Sequence, residues 1–368
     1  MNPTLSNVSE NNGLYKFTLS DINVSFANAV RRTILSDIPT VVIHTGGENT
    51  TDDQCIISIN TGRLHNEIVK HRLSCIPIHN PELDLPGKYV LDLDVKNDTD
   101  NMLYVTTEDF RLIEKASGKY LVKEEVHKIF PSDPTTGQYI DFVRLRPKVG
   151  DNIPGEHIKL SAEFSIGIAK SNNMYNVVSK CSYGDTPDMK LVNEAWEERL
   201  AKLSSESAYK SDIEFQKKNF MALDAQRYSL SNSFDFVIQT LGIFSNRELV
   251  KRACVILKKK MTDLIQSIEA DEVSILNGEV TYDNCYDFIL EGEDYTIGKT
   301  LEYVLYESRY IGDKSLSFCG FKKFHPHNPS STLRLAFTQT SDKITAGLYV
   351  KQAAEQAIRV FDKIQSNF

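Results

Sequence analysis

The stretch GEDYTIGKT, Gly292 to Thr300, follows an alternating apolar run and opens a helical one. In that context a glycine-rich loop can cradle phosphate on backbone amides while a Gly-Lys-Thr triplet reaches its oxygens. Here five residues separate the glycines where such a loop has four, and Glu293 and Asp294 would repel the anion. The expectation is instead a glycine, Gly298, that lets a helix pack closely. Asp92, Asp94, Asp98 and Asp100 suggest a divalent cation, yet Asp92 and Asp94 alternate with Leu91 and Leu93, which places them on the solvated face of a strand. His325-Pro326-His327 near Cys319 lacks a second cysteine, and its x-Pro-x spacing turns the imidazoles apart. His65, His71 and Cys75 come with no partner acid or oxyanion motif, and Leu64, Ile68 and Leu73 imply a short buried helix. No catalytic residue, metal ligand set or cofactor is expected. Arg31-Arg32 is a candidate of another kind. Set about 100° and 200° around a helix from Val30, the pair falls off the apolar stripe, and an arginine beside an interface helix is a common anchor for a further chain.

The elements that must position these residues contain a repeat. Shifted by 271 positions, LYKFTLSDINVSFANAVRRTIL (Leu14 to Leu35) falls without a gap on CYDFILEGEDYTIGKTLEYVLY (Cys285 to Tyr306). Tyr15, Phe17 and Leu19 land on Tyr286, Phe288 and Leu290, at the period of a strand. A helix follows in both copies, with Ser25 and Thr296 as expected N-caps. Phe26, Val30 and Ile34 form one stripe and Ile297, Leu301 and Leu305 the other, with small Ala27 matching Gly298. The two stripes are expected to pair as the dimer interface of an intramolecular pseudo-dimer, leaving the isolated chain a monomer.

The spacing predicts an α+β fold. Thr40 to Ile43 reads as a buried strand. From 47 to 184 an inserted β-rich domain interrupts the first copy, with alternation at Tyr89 to Val95, Tyr139 to Leu145 and Ile158 to Ile166. Residues 189 to 230 read as a charged helical surface extension around Trp196. Strand Ser233 to Thr240 and a helix to Ile268, with face Leu249, Ala253, Ile256, Leu257, Leu264 and Ile268, complete a first domain of residues 1–46 and 185–268. A linker, 269–284, leads to a second domain, 285–368, ending in strand Thr332 to Thr340 and a helix whose face carries Leu348, Ala354, Ala357, Ile358, Phe361 and Ile364.

With 42 basic against 50 acidic residues the formal charge is −8, which argues against a chain whose main task is to neutralise phosphates. Six scattered cysteines without a C-x-x-C pair suit reduced thiols inside a cell. Neither a signal peptide nor a membrane-spanning stretch is expected.

FTLSDINVSFANAVRRTILSDIP, followed by TGRLHNEIVKHRLSCIPIH, resembles the signature of the α-type assembly subunits of multisubunit DNA-dependent RNA polymerases, above all the third-largest subunit of the eukaryotic nuclear enzyme. IDFVRLRPKVGDNIPGEHIKLSAEFSIGIAKSNNMYNVV resembles the same subunit where its inserted domain returns. FILEGEDYTIGKTLEYVLYE, FCGFKKFHPHNPSSTLRLAFT and the final helix are similar to its smaller α-like partner. The two would be fused here, as is known among large DNA viruses. The cysteine cluster that binds zinc in many relatives has no counterpart after Pro77. The resemblance implies a non-catalytic scaffold for transcription. It would join the two largest subunits, contact small zinc-binding subunits, and meet DNA only through the complex, in cytoplasm or nucleus, or in a virion if viral. It also implies that Arg31 and Arg32 lie beside the docking surface for the second-largest subunit. The competing readings are a nucleotide-binding enzyme built on Gly298-Lys299-Thr300 and a DNA-binding regulator, for which no recognition motif is visible.

Overall fold

The computed structural model describes residues 1–46, 53–150, 152–205, 212–278 and 284–368. In chain order the elements begin with β1 (Thr4–Asn11), β2 (Leu14–Ser20), α1 (Val24–Ser36), β3 (Thr40–Val42), β4 (Cys55–Asn60) and α2 (Asn66–Ser74). There follow β5 (Tyr89–Lys96), β6 (Leu103–Thr106), β7 (Arg111–Glu114), α3 (Lys123–Ile129), β8 (Asp141–Leu145), β9 (His157–Glu163), β10 (Ser165–Gly167) and β11 (Val178–Pro187). After α4 (Met189–Ser205), α5 (Ile213–Ala222), β12 (Ser229–Thr240) and α6 (Asn246–Glu269), the second copy supplies β13 (Ile275–Asn277), β14 (Cys285–Glu291), α7 (Tyr295–Leu305), β15 (Leu316–Lys322), β16 (Ser330–Phe337) and α8 (Lys343–Ser366). Two compact units result. Met1–Thr33, Lys180–Gln239 and Asn246–Phe368 make one; Ile34–Ser179 with Thr240–Ser245 make the other.

The first unit contains two sheets of the same design. In one the strand order is β1-β2-β12-β11, in the other β13-β14-β16-β15. Registers correspond as well: Phe17 lies opposite Phe236, and its counterpart Phe288 lies opposite Leu333. Tyr15, Phe17 and Leu19 are buried, as are Phe288 and Leu290, because alternate side chains of these strands face the covering helices. Each half closes with a 24-residue helix, α6 or α8.

Two sequence expectations change here. The spacing gives each half a strand, a helix, two strands and a helix, with the run at Thr40 as the first half's third element, but β3 pairs with β10 in a separate two-stranded sheet and β11 takes the place that β15 holds in the second half. The helix caps also lie two residues earlier than expected. Asn23 Oδ1 accepts from the Ser25 amide at 2.9 Å, and Asp294 Oδ1 accepts from the Thr296 amide at 2.8 Å. Asn23 and Asp294 are themselves matched at the offset of the repeat, so the cap is part of the repeated design.

Between β11 and β12 the chain makes α4 and α5, which share with the turn Asp224–Arg227 a small core of Val192, Trp196, Phe220 and Ala225, with the Trp196 and Phe220 rings 5.5 Å apart. The second unit is β-rich. It has a four-stranded sheet, β4-β9-β5-β7, and the pairs β6-β8 and β3-β10, with α2 and α3. Leu91, Leu93, Phe110, Phe130, Phe142 and Leu160 belong to its core. The carboxylates of β5 lie on the face away from the core, as the alternation requires, and are held in ion pairs: Asp92 takes Arg111 at 3.0 Å and Asp94 takes Lys159 at 2.8 Å and His157 at 2.7 Å.

Candidate assembly interface

All six stripe residues, Phe26, Val30, Ile34, Ile297, Leu301 and Leu305, are at most 1% exposed. Phe26 of α1 meets Phe361 of α8 with ring centroids 5.1 Å apart, and Tyr303 of α7 edge-on at 6.3 Å. At the other end of the same crossing, Arg32 Nη2 donates to Asp294 Oδ2 at 2.6 Å and Arg32 Nε to Thr296 Oγ1 at 2.9 Å. The late part of α1 thus meets the start of α7, and the late part of α7 meets the start of α1. That is the antiparallel crossing expected of two copies related by an approximate twofold axis.

The long helices carry the pairing further. Lys258 of α6 donates to Asp362 at 2.5 Å and to Gln365 at 2.7 Å, both on α8, while Lys351 of α8 pairs with Glu269 of α6. These contacts fix α6 and α8 as antiparallel along most of their length. Gly347 permits a close approach, since a Cβ there would stand 3.3 Å from Ile268 Cγ2. The buried face of α8 runs through Ala346, Val350, Ala353, Ala357, Phe361 and Ile364, spaced by three and four residues. Leu348, expected on that face, is 48% exposed instead, because its position falls between the buried rows. Phe368 closes the interface, with its ring centroid 4.9 Å from that of Phe17 in β2.

Arg31 and Arg32 have different surroundings. The carboxylate that Arg32 reaches belongs to this chain, and Asp294 serves it while capping α7. Arg31 donates from Nε and Nη2 to Asn28 Oδ1 at 3.1 and 2.8 Å, within its own helix. It also lies near β11, where its charge opposes the burial that pushes the Cys181 thiol up to about 12. Its counterpart in the repeat, Glu302, accepts from the Phe321 amide of β15 at 3.1 Å. Phe361 lies buried on the face that the helical spacing predicts, whereas sequence reasoning missed Asp294 and Tyr303 as contacts; the match of Asp294 to Asn23 was the one signal available for either.

The other candidates are held in structural roles. A Cβ on Gly298 would stand 2.1 Å from the Phe321 ring, so the glycine allows α7 to lie on β15. Lys299 pairs with Glu302 at 2.7 Å, and fully buried Thr300 donates to the Thr296 carbonyl at 2.9 Å, so GKT forms the packed first turns of a helix. His325 accepts from the His327 amide at 3.2 Å, as in a turn. His65 starts α2 without a side-chain capping bond, and Cys75 at its far end is exposed. Among the described residues no three His, Cys, Asp or Glu side chains converge as a metal site would require, and no helix is long and apolar enough to cross a membrane.

Two sheet-and-helix halves locked through antiparallel helices define a dimerisation scaffold, here within one chain. Residues 16–261 match the RNA polymerase Rpb3/Rpb11 dimerisation domain, and residues 285–367 match a second domain model of the same description. The chain belongs to this family. It is 24% identical over 299 residues to the DNA-directed RNA polymerases II, IV and V subunit 3 of Arabidopsis thaliana, covering 70% of this chain and 89% of that protein. It is 23% identical to the DNA-directed RNA polymerase II subunit RPB3 of Schizosaccharomyces pombe, over 74% of this chain and 89% of that protein. To the DNA-directed RNA polymerase subunit Rpo3 of Thermococcus kodakarensis it is 26% identical, over 69% of this chain and 93% of that protein.

Proposed function

We propose that this protein is the non-catalytic assembly platform of a multisubunit DNA-dependent RNA polymerase, in which the third-largest subunit and its small α-like partner are fused. It docks the two largest subunits, which hold the active site, and contacts small zinc-binding subunits. DNA is reached only through the complex. Its work lies where that polymerase assembles, in cytoplasm or nucleus; a viral source would fit the fusion. The observation that carries this reading is the presence in one chain of two halves with the same strand order and the same helix crossing, joined by α6 and α8. In this reading Arg31 is the docking arginine, because Arg32 is already engaged with Asp294. The domain limits proposed from the sequence are 1–46 and 185–268 for the first dimerisation domain with its helical extension at about 189–230, 47–184 for the insertion, 269–284 for the linker and 285–368 for the second domain, with β11 (Val178–Pro187) and β13 (Ile275–Asn277) added to the first and second domains because each is a strand of that domain's sheet.

Affinity purification of the tagged protein from its native source tests the proposal. Copurification of both largest polymerase subunits supports it. Recovery of the chain without them, under salt that preserves polymerase, refutes it.

A further inference from the structure

The inserted unit holds a cleft of about 550 Å³ whose rim carries Arg63, Arg72, Arg144 and Arg146. Four guanidiniums gather here although the chain as a whole carries a formal charge of −8. Two of them are partly committed. Arg72 of α2 donates to the carbonyls of Phe142 and Asp141 at 2.8 and 2.9 Å, which holds α2 on β8 and fixes the cleft's geometry. Arg146 pairs with the buried Glu156 carboxylate. The other two face outward. Arg144 lies 4.8 Å from the centroid of the Tyr104 ring, which keeps its plane oriented, and touches Asp141 only at 3.3 Å in an exposed pair. Arg63 is exposed and forms no hydrogen bond or ion pair among the described residues. Leu64, Met102 and Val143 line the same cleft, as does Asp141, so its surface combines four guanidiniums and one carboxylate with apolar side chains.

We propose that this cleft docks an acidic peptide segment of another protein chain, in which carboxylates alternate with large apolar side chains. Guanidinium forks bind carboxylates through paired charge-assisted hydrogen bonds. The apolar lining and the neighbouring Tyr104 and Met102, 51% and 46% exposed, would lie against the aliphatic or aromatic side chains between the carboxylates. A nucleic-acid backbone would use the arginines and leave this apolar surface wet, and single-strand binders track phosphates along a longer groove lined with stacking aromatics. The proposal is independent of which polymerase the chain serves, because it concerns the inserted unit and is read on the isolated protein.

Fluorescence anisotropy on the purified full chain tests it with three probes. These are a labelled peptide of about twelve residues alternating Asp or Glu with Leu or Phe, the same peptide with Lys for each acid, and a single-stranded oligonucleotide. The acidic peptide is expected to bind and to weaken as salt rises. Arg63→Glu/Arg144→Glu should reduce that affinity by about tenfold or more, with melting temperature unchanged, while Lys217→Glu on α5 has no effect. Arg63→Gln serves if the charge reversal impairs folding. Absence of acidic-peptide binding, equal binding of the Lys peptide, an unchanged affinity in the double variant, or tighter binding of the oligonucleotide at the same arginines would each overturn the proposal.

Discussion

Arg32 in the first half and Asp294 in the second meet at 2.6 Å, and the same aspartate caps the helix that Arg32 approaches. One carboxylate therefore ends α7 and fastens it to α1. The two substitutions should differ in cost. Arg32→Ala removes a partly exposed ion pair and is expected to cost about 1 kcal/mol or less. Asp294→Ala also removes the cap, for a total of about 1–2 kcal/mol. Chemical denaturation of both variants checks the order; an equal loss would show that the cap contributes little.

The docking role proposed for Arg31 can be tested separately from folding. With its hydrogen bonds confined to Asn28, Arg31→Ala should leave the melting temperature nearly unchanged while reducing copurification of the second-largest polymerase subunit. Unchanged copurification would assign the docking contact elsewhere.

The buried stripes should tolerate no charge. Ile34→Asp or Leu305→Asp places an unpaired carboxylate at a fully buried position and should destabilise the chain by several kcal/mol. Phe361→Ala, which removes the partner of Phe26, should cost about 3–5 kcal/mol. Denaturant unfolding with light scattering for oligomeric state checks both, and a stable homodimer of either charged variant would contradict the internal pairing.

Gly298 and Lys299 discriminate packing from phosphate binding. Gly298→Ala forces its new methyl into the Phe321 ring and should cost about 1–3 kcal/mol. Lys299→Ala on the exposed side should stay within about 0.5 kcal/mol. A nucleotide-dependent rise in melting temperature, lost in Lys299→Ala, would reverse this assignment.

Burial holds the His79 imidazole below its ordinary value, with a hydrogen bond to the Gly242 backbone opposing the shift. The folded state thus resists the proton that the unfolded chain accepts near pH ~6.5. This group's contribution is full above that pH and falls as pH drops below it. Unfolding midpoints at about pH 7.5 and 5.5 should diverge more in the wild type than in His79→Gln; an equal divergence would show that His79 is not responsible.

Much of the architecture was legible because the repeated segment carries both strand alternation and a helical stripe. Tyr15, Phe17, Phe26 and Val30 announce their environment through spacing alone. The unread parts lack such a signal. β1 is almost wholly exposed, so its residues show no apolar alternation, and β13 is three residues long within a stretch that reads as linker. The caps were misplaced because Ser25 and Thr296 are good capping types two positions late. The Arg32 contact joins residues 262 apart in sequence, and no local pattern encodes a charge pair at that distance.

The same separation bears on the order in which the molecule takes shape. In the first sheet Thr18 bonds to Asp235 across 217 residues, whereas in the second Arg334 reaches Asp287 across 47. Long loops close slowly, so the later half is the one suited to rapid folding and the earlier half must wait. α8 follows every element it covers, so until it emerges from the ribosome the apolar face of α6 has no mate. Two dimerisation domains in one chain therefore turn an encounter between two molecules into a step of chain growth. No free half circulates to meet the wrong companion, and the supply of the two halves is equal by construction.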